Sequence, residues 1–362
     1  GLSLVRVFVS WRMYEPQVGR YSDDAEDRMD RIVVAAKAHG LRLVVDLFAD
    51  DPLTEPTAVP WGATRDPRTD SYMFQREVAL AQRIVGKLRT QQAVFAWELA
   101  NEAFCARFAS AQDLLAWVRS LREAIREVDT ERPIVLPIDP ETLMHATGVD
   151  ATSAHDECEI VASHVTSPYR CYAAEGPITS GPATYLPSFL LRNAARELPL
   201  LMDDIAVTTL EQSMMEEAVH VRGCLYSAVM NGAAGAIVKR HRDVLTERRE
   251  PYFLDPYEVL VGVADADGLP KRAMAEIESV VRTIGHLDLK RWSRPPARAA
   301  VIVPTERSEP LPSLAGLYDP RSCLQAFVAA KEAHLAVDVI AEEERFGSYL
   351  TLVVPSGGVL SE

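Results

Sequence analysis

Three carboxylates follow apolar runs that read as strands, at positions where a side chain can face a substrate. Glu102 comes just after the run 94–100, with Asn101 before it, and Asp203 and Asp204 close the run 198–202. Two carboxyl groups flanking a glycosidic bond can cleave it, because one donates a proton while the other attacks or activates water. Taken singly, each of these acids fits a solvated loop residue as well, so the surrounding pattern must decide.

The elements that position these acids alternate between strand and helix. Apolar runs predict strands over 2–10, 41–50, 93–100, 132–139, 158–165, 197–206 and 232–241. Amphipathic stretches predict helices over 25–40, 71–89, 111–128, 210–230 and 270–285. Strands separated by helices pair in parallel through right-handed crossovers. The pattern predicts a (β/α)8 barrel that lacks its first strand-helix unit, expected upstream of Gly1; an open, doubly wound sheet is the alternative.

A second, smaller α/β pattern follows the barrel. Residues 291–298 are basic and Pro-rich and read as a linker, and strand, helix and strand signals recur from 299 to 362. We therefore predict the (β/α) barrel over 1–290, the linker over 291–298, and a partial Rossmann-like or flavodoxin-like domain over 299–362.

Composition narrows the class of partner. The chain has 362 residues and a net charge of -14, which disfavours nucleic acid and anionic membranes. No run approaches the length of a membrane span. The five cysteines are scattered without metal-ligand spacing, so we expect no zinc site and a cytoplasmic location, with secretion left open because a leader could precede Gly1. We also expect no other metal and no cofactor.

Several quoted motifs resemble those of clan A glycoside hydrolases, especially family 5, the cellulase and mannanase group. The segment "VFAWELANE" resembles the family's fourth strand, which implies that Asn101 binds the sugar 2-hydroxyl and Glu102 is the acid/base. "GLSLVRVFVSWRMYEP" resembles the second strand, which implies that Arg6 lies near the nucleophile. "EIVASHV" resembles the sixth strand and supplies His164, and "LPLLMDDIA" resembles the seventh and supplies Asp204.

The final third of the chain carries a related resemblance. Segment 250–273 is similar to the closing segment of trimeric β-galactosidases and β-mannosidases, and the tail resembles the start of their trimerisation domain. The resemblance implies a carbohydrate substrate and a homo-oligomer, with a trimer as the specific expectation.

Three positions depart from the family pattern. Asp204 stands where the family has its nucleophilic Glu, and its shorter side chain withdraws the carboxylate by about 1 Å, a misplacement that can cost on the order of 100-fold in rate. Thr166 replaces a Tyr that orients the nucleophile, a role that Tyr169 could take instead. Lys239 stands near the place of the Trp that floors the sugar site; it could pair with Asp204 and would suit a neutral sugar less well.

These departures leave two main hypotheses and a weaker third. The first is a β-glycosidase of exo-β-mannosidase type, in which Glu102 and Asp204 carry the reaction. The second is a degenerate or repurposed barrel that binds a glycan or an anionic ligand without turnover, and the third is a purely structural oligomer subunit. Among the other polar residues, Asp46 reads as a buried structural carboxylate, and Asp70 or Thr69 as a helix cap.

Overall fold

The computed structural model describes residues 2–48, 59, 61–62, 65, 69–100, 111–138, 156–164, 185, 188, 198–206, 209–210, 213–245, 259–292, 296–303, 320–341 and 346–355. Ten strands lie in these residues: β1 (Leu4–Phe8), β2 (Arg42–Asp46), β3 (Val94–Glu98), β4 (Ile134–Pro137), β5 (Ile160–His164), β6 (Leu200–Ile205), β7 (Gly235–Val238), β8 (Ala299–Val303), β9 (Val337–Ala341) and β10 (Thr351–Val353).

Seven α-helices lie between and around these strands: α1 (Trp11–Tyr14), α2 (Asp23–Ala38), α3 (Ser71–Leu88), α4 (Ala111–Arg126), α5 (Met214–Asn231), α6 (Arg272–Gly285) and α7 (Pro320–Glu332). A short 3-10 helix spans Leu289–Arg291. Every predicted helix and strand is present, and the strands are shorter than predicted because each apolar run extends beyond the paired residues.

The first sheet has seven strands, β1 to β7, in the order in which they occur along the chain. Pairing is parallel from β1 through β5 and between β6 and β7. A doubly wound sheet reverses its strand order at a switch point. This order does not reverse, so the doubly wound alternative is wrong and the strand order is that of a (β/α) barrel. The described residues supply seven strands of that barrel.

Contacts divide the chain into two compact units, and the division passes through β5 after Ala162. In the first unit, β2 and β3 form the centre of the sheet and are almost entirely buried. Helix α2 begins at Ser22, whose hydroxyl accepts the N–H of Ala25, and the chain turns after it at Gly40 with φ 65°. Helix α3 begins at Asp70, whose carboxylate accepts the N–H groups of Tyr72 and Met73. The predicted cap is confirmed at Asp70.

In the second unit, β6 is wholly buried and β7 pairs with it. Helix α5 begins with a capping box, in which Ser213 and Glu216 each bind the other's backbone N–H. It ends at Gly232, which has φ 97° and therefore a conformation that glycine adopts at little cost. Helix α6 packs along α5.

The second unit also contains a three-stranded parallel sheet in the order β10-β8-β9. Ala300, Ile302 and Ile340 form its buried cluster, against which Phe346 and Tyr349 pack. The predicted division of the chain at 291–298 stays a prediction. Within the described residues, no helix is long and apolar enough to cross a membrane.

Candidate active site at the strand ends

Strand β6 contains a β-bulge at its two acidic residues. Met202 pairs with Ala236 and Ile205 with Val238, so β6 uses one residue more than β7 over this interval. Asp204 lies in the bulge with φ 49°, in the left-handed region that Asp tolerates better than most residues. Bulges of this kind redirect a side chain and are frequent beside active sites.

Asp203 holds the bulge in place. Its side chain is fully buried, and its Oδ1 accepts the backbone N–H of Asp204 at 2.7 Å. A charged acceptor makes a stronger hydrogen bond than a neutral one. We assign Asp203 a structural part at the bulge, which leaves Asp204 as the acid of this pair available for chemistry.

The Lys239 side chain places an ammonium group beside the Asp204 carboxylate. Its Nζ lies 3.3 Å from Asp204 Oδ2, and both side chains are largely buried, with 17% and 6% exposure respectively. The backbone N–H of Lys239 donates to the carbonyl of Ile205 at 3.1 Å, which continues the β6–β7 pairing by one residue. The ion pair expected from the sequence is therefore present, and it places a cation against the carboxylate.

In the first unit, Arg6 forms a buried ion pair with Glu98. Arg6 Nη1 lies 3.1 Å from Glu98 Oε1, and the side chains are only 4% and 1% exposed. The guanidinium also lies 4.8 Å from the centre of the Phe8 ring, within range of a cation–π contact. A buried charge is stable only when it is paired, so Glu98 fixes where the Arg6 guanidinium can be.

Glu98 is a residue that the sequence reading missed. It is the one charged residue in β3, whose other members are Val, Phe, Ala and Trp. A lone carboxylate in a strand that is otherwise apolar indicates a buried partner, and the sequence shows this pattern. The sequence does not identify Arg6 as the partner, because β2 separates β1 from β3 in the sheet.

Asp46 lies between Phe8 and Glu98 in the strand register, since it pairs with Phe8 on β1 and with Glu98 on β3. Its side chain is fully buried, and its Oδ1 accepts the N–H of Phe48 at 3.1 Å. The structural reading of Asp46 is consistent with this turn-stabilising bond.

Several predicted site residues lie outside the described part of the chain. Asn101, Glu102 and Tyr169 are among them, as is Thr166. His164 is the last residue of β5, and its backbone alone is described. The roles expected of these residues remain predictions.

No group of three His, Cys, Asp or Glu side chains within the described ranges is arranged to hold a metal ion. The described part of the site offers a carboxylate, that of Asp204, with the Lys239 ammonium beside it. Such a carboxylate can act as a nucleophile, as a base or as an electrostatic stabiliser of positive charge.

A parallel sheet whose strands follow one another in chain order, with helices between them, is the architecture of (β/α) barrels. Residues 1–141 match the family model described as Cellulase (glycosyl hydrolase family 5). The chain thus resembles clan A glycoside hydrolases and, among them, family 5.

Solved structures share this fold over nearly the whole chain. The exo-β-1,4-mannosidase Op5Man5 from Opitutaceae bacterium strain TAV5 superposes with a TM-score of 0.82 and 20% identity, covering 98% of this chain and 66% of that one. The GH5_18 protein from Streptomyces cattleya, solved with Manβ1-4GlcNAc, gives a TM-score of 0.80 and 15% identity, covering 98% and 90%. At these identities the likeness establishes the fold alone.

Curated relatives match over shorter stretches. The probable mannan endo-1,4-β-mannosidase A of Aspergillus clavatus is 29% identical over 115 residues, which is 30% of this chain and 31% of the relative. Mannan endo-1,4-β-mannosidase 8 of Oryza sativa subsp. japonica is 22% identical over 209 residues, 46% of this chain and 55% of the relative. The chain thus spans about a third to a half of the curated relatives it matches.

Proposed function

We propose that this protein is a glycoside hydrolase that cleaves β-linked sugars by a two-carboxylate mechanism, with an exo-acting β-mannosidase as the specific form. The observation that carries the proposal is Asp204, a buried carboxylate held in a bulge near the carboxyl end of β6. Carboxylates at this end of barrel strands are the groups that barrel enzymes use for catalysis.

The proposed roles divide between two acids. Glu102 protonates the leaving oxygen and later activates water, while Asp204 attacks the anomeric carbon or stabilises its positive charge. Asn101 holds the sugar 2-hydroxyl. In this scheme Arg6 and His164 orient Asp204, with Tyr169 as a further orienting group.

The ion pair with Lys239 supports an ionised Asp204. A carboxylate 3.3 Å from an ammonium is stabilised in its charged form, which is the form that a nucleophile needs. The same pair constrains the substrate, because a sugar that approaches Asp204 also meets the Lys239 ammonium. A hydroxyl or a carboxylate of the substrate can accept a hydrogen bond from it.

The short side chain of Asp204 leaves the stereochemical outcome open. Retaining enzymes hold their two carboxyl groups roughly 5 to 5.5 Å apart, whereas inverting enzymes hold them about 6.5 to 9.5 Å apart to admit a water. Aspartate in place of the family's glutamate widens the gap. The anomeric configuration of the first product, followed by NMR, distinguishes the two outcomes.

The substrate class follows from the similar proteins. The family model is that of cellulases, the curated relatives are named mannan endo-β-mannosidases, and one structural neighbour is an exo-β-1,4-mannosidase. We therefore propose a β-mannoside as the first substrate to test. A homo-oligomer, specifically a trimer, and a cytoplasmic location remain predictions, and light scattering on the purified chain tests the trimer.

The deciding experiment measures hydrolysis of a panel of aryl β-glycosides, β-mannoside included. The wild-type chain is compared with Glu102→Gln and Asp204→Asn, which remove one carboxylate each with little change in shape. Turnover that falls by about 1,000-fold or more in both variants supports the two-carboxylate mechanism. Turnover that survives either change assigns the reaction to another residue, and the proposed mechanism is then wrong.

A second function is favoured by one observation, the Lys239 ammonium against Asp204 at a position where the family resemblance implies a Trp. This second candidate is a barrel that binds a glycan or an anionic ligand without cleaving it. A wild-type chain that turns over no glycoside, yet binds mannobiose or mannuronate in calorimetry, fits this second function. Loss of that binding in Lys239→Met would assign it to this site.

A further inference from the structure

The backbone that follows Lys239 is clamped to a later segment of the second unit. Val263 N–H donates to the carbonyl of Arg240 at 3.1 Å, and Asp243 N–H donates to that of Ala264 at 2.9 Å. Val244 N–H donates to Val259 at 3.0 Å. The segments 240–244 and 259–264 therefore run together through several backbone hydrogen bonds, although a described helix or strand covers neither.

Asp243 ties the two segments together through its side chain. Its Oδ1 accepts the backbone N–H of Gly262 at 2.8 Å and the Nζ–H of Lys271 at 2.8 Å. The side chains of Asp243 and Lys271 are each only 5% exposed. A buried, charge-assisted pair with a second hydrogen bond to the backbone is a strong local anchor.

Gly262 allows this close approach. A Cβ atom at residue 262 would lie 2.1 Å from the carbonyl carbon of Arg242 and 2.2 Å from the nitrogen of Asp243. Both are backbone atoms that cannot move without breaking the clamp. Glycine is therefore required here because two backbones touch, a use of glycine that depends on its lack of a side chain.

Lys271 joins the clamp to the helices. Its backbone N–H donates to Val263 at 2.9 Å, and it lies directly before α6. Its Nζ also lies 3.6 Å from Glu217 Oε1 on α5 and 3.4 Å from Thr209 Oγ1. One ammonium thus links α5, α6 and the segment after β7.

Lys239 is the residue from which the clamped segment starts. It is followed by Arg240, which has φ 68°, so a left-handed residue lies between the site and the clamp. A left-handed residue other than glycine persists only where its surroundings hold it. We propose that Asp243, Gly262 and Lys271 form a lock that positions the Lys239 ammonium against Asp204. The catalytic meaning of the lock rests on the function proposed above.

The first test is a double-variant cycle in kcat/KM with the best aryl glycoside. We expect Lys239→Met and Lys271→Met each to lower kcat/KM between about 10-fold and 100-fold, the range expected for a misplaced group. If Lys271 acts through Lys239, the double variant stays within about twofold of Lys239→Met alone. If the fold-losses in kcat/KM of the two single variants multiply in the double variant, Lys271 acts independently of Lys239 and the proposal is wrong. Lys37→Met, an exposed lysine on α2, is the matched control.

The second test does not depend on activity. Asp243→Asn keeps the acceptor for Gly262 N–H but removes the charge that pairs with Lys271. In the full chain we expect hydrogen exchange at the amides of Asp243, Val263 and Ala264 to accelerate by about tenfold or more, while the amides of β2 are unchanged. Unchanged exchange at these three amides would overturn the lock.

The two tests separate the two proposals. If the wild type hydrolyses no glycoside but exchange accelerates in Asp243→Asn, the proposed function fails and the lock stands. A crystal structure of Asp243→Asn then reports whether the Lys239 to Asp204 distance has grown beyond 3.3 Å. An unchanged distance would show that the lock does not position Lys239, whatever the activity.

Discussion

Replacing Glu98 by Gln tests how much the buried Arg6–Glu98 ion pair contributes to stability. The Arg6 and Glu98 side chains are 4% and 1% exposed, so water cannot replace the lost carboxylate. Breaking a buried ion pair by removing one partner costs about 3 to 5 kcal/mol, because the remaining charge stays desolvated. We expect Glu98→Gln to lower the free energy of unfolding by that amount.

The expected shift in melting temperature follows from the length of the chain. At about 2.1 cal/mol/K per residue, 362 residues give an unfolding entropy of about 0.8 kcal/mol/K. A loss of about 3 to 5 kcal/mol then lowers Tm by about 4 to 6 °C in differential scanning calorimetry. Urea unfolding should show the same loss as a lower midpoint at unchanged slope.

A matched surface change serves as the control. Glu276 pairs with Arg222 at 3.4 Å, with the two side chains 30% and 47% exposed. Such surface pairs contribute about 0 to 1 kcal/mol, so Glu276→Gln should move Tm by about 1 °C at most. Equal shifts for Glu98→Gln and Glu276→Gln would refute the reasoning, since burial would then not decide the cost.

Three further outcomes are expected. Asp204→Gly should be more stable than Asp204→Ala by about 1 kcal/mol in urea unfolding, the reverse of the usual order within a strand, because φ is 49° at this residue. Burial raises the pKa of Glu217 to about 7, above its value in the unfolded chain, with Lys271 opposing the rise and Asp243 adding to it. The stability this group contributes is therefore present at low pH and lost as pH rises through about 7, a slope that Glu217→Gln should remove from urea midpoints measured between pH 5 and 9. Burial also raises the pKa of the Cys158 and Cys224 thiols to about 12, so both should react with a thiol reagent only upon unfolding; rapid labelling of either residue in the native chain, located by peptide mapping, would contradict this.

Local signals made much of the fold predictable. The caps at Ser22 and Asp70 depend on side chains within three residues of the amides they bind, so the sequence shows both partners together. The Lys239–Asp204 pair was predictable because both residues end neighbouring strands. In the caps the two partners are close in sequence, and in the ion pair they lie on strands that the predicted strand order places side by side.

Contacts that depend on side-chain reach could not be predicted. The Arg6–Glu98 pair crosses over β2, and the Asp243–Lys271 pair joins residues 28 positions apart in the sequence. The bulge at Asp204 was hidden for another reason. The run 200–205 has the composition of a continuous strand, and nothing in it marks the one residue that takes a positive φ.

The bulge in β6 couples the number of residues in that strand to the residue type that position 204 can accept. A left-handed position admits Asp, Asn and Gly readily and penalises Glu, so a strand with this extra residue resists the glutamate that the family resemblance implies. Directed evolution toward a glutamate nucleophile would therefore stall at single substitutions. A library that deletes Asp203 and introduces glutamate at residue 204 in the same step removes the bulge and changes the carboxylate together, which no single substitution can do.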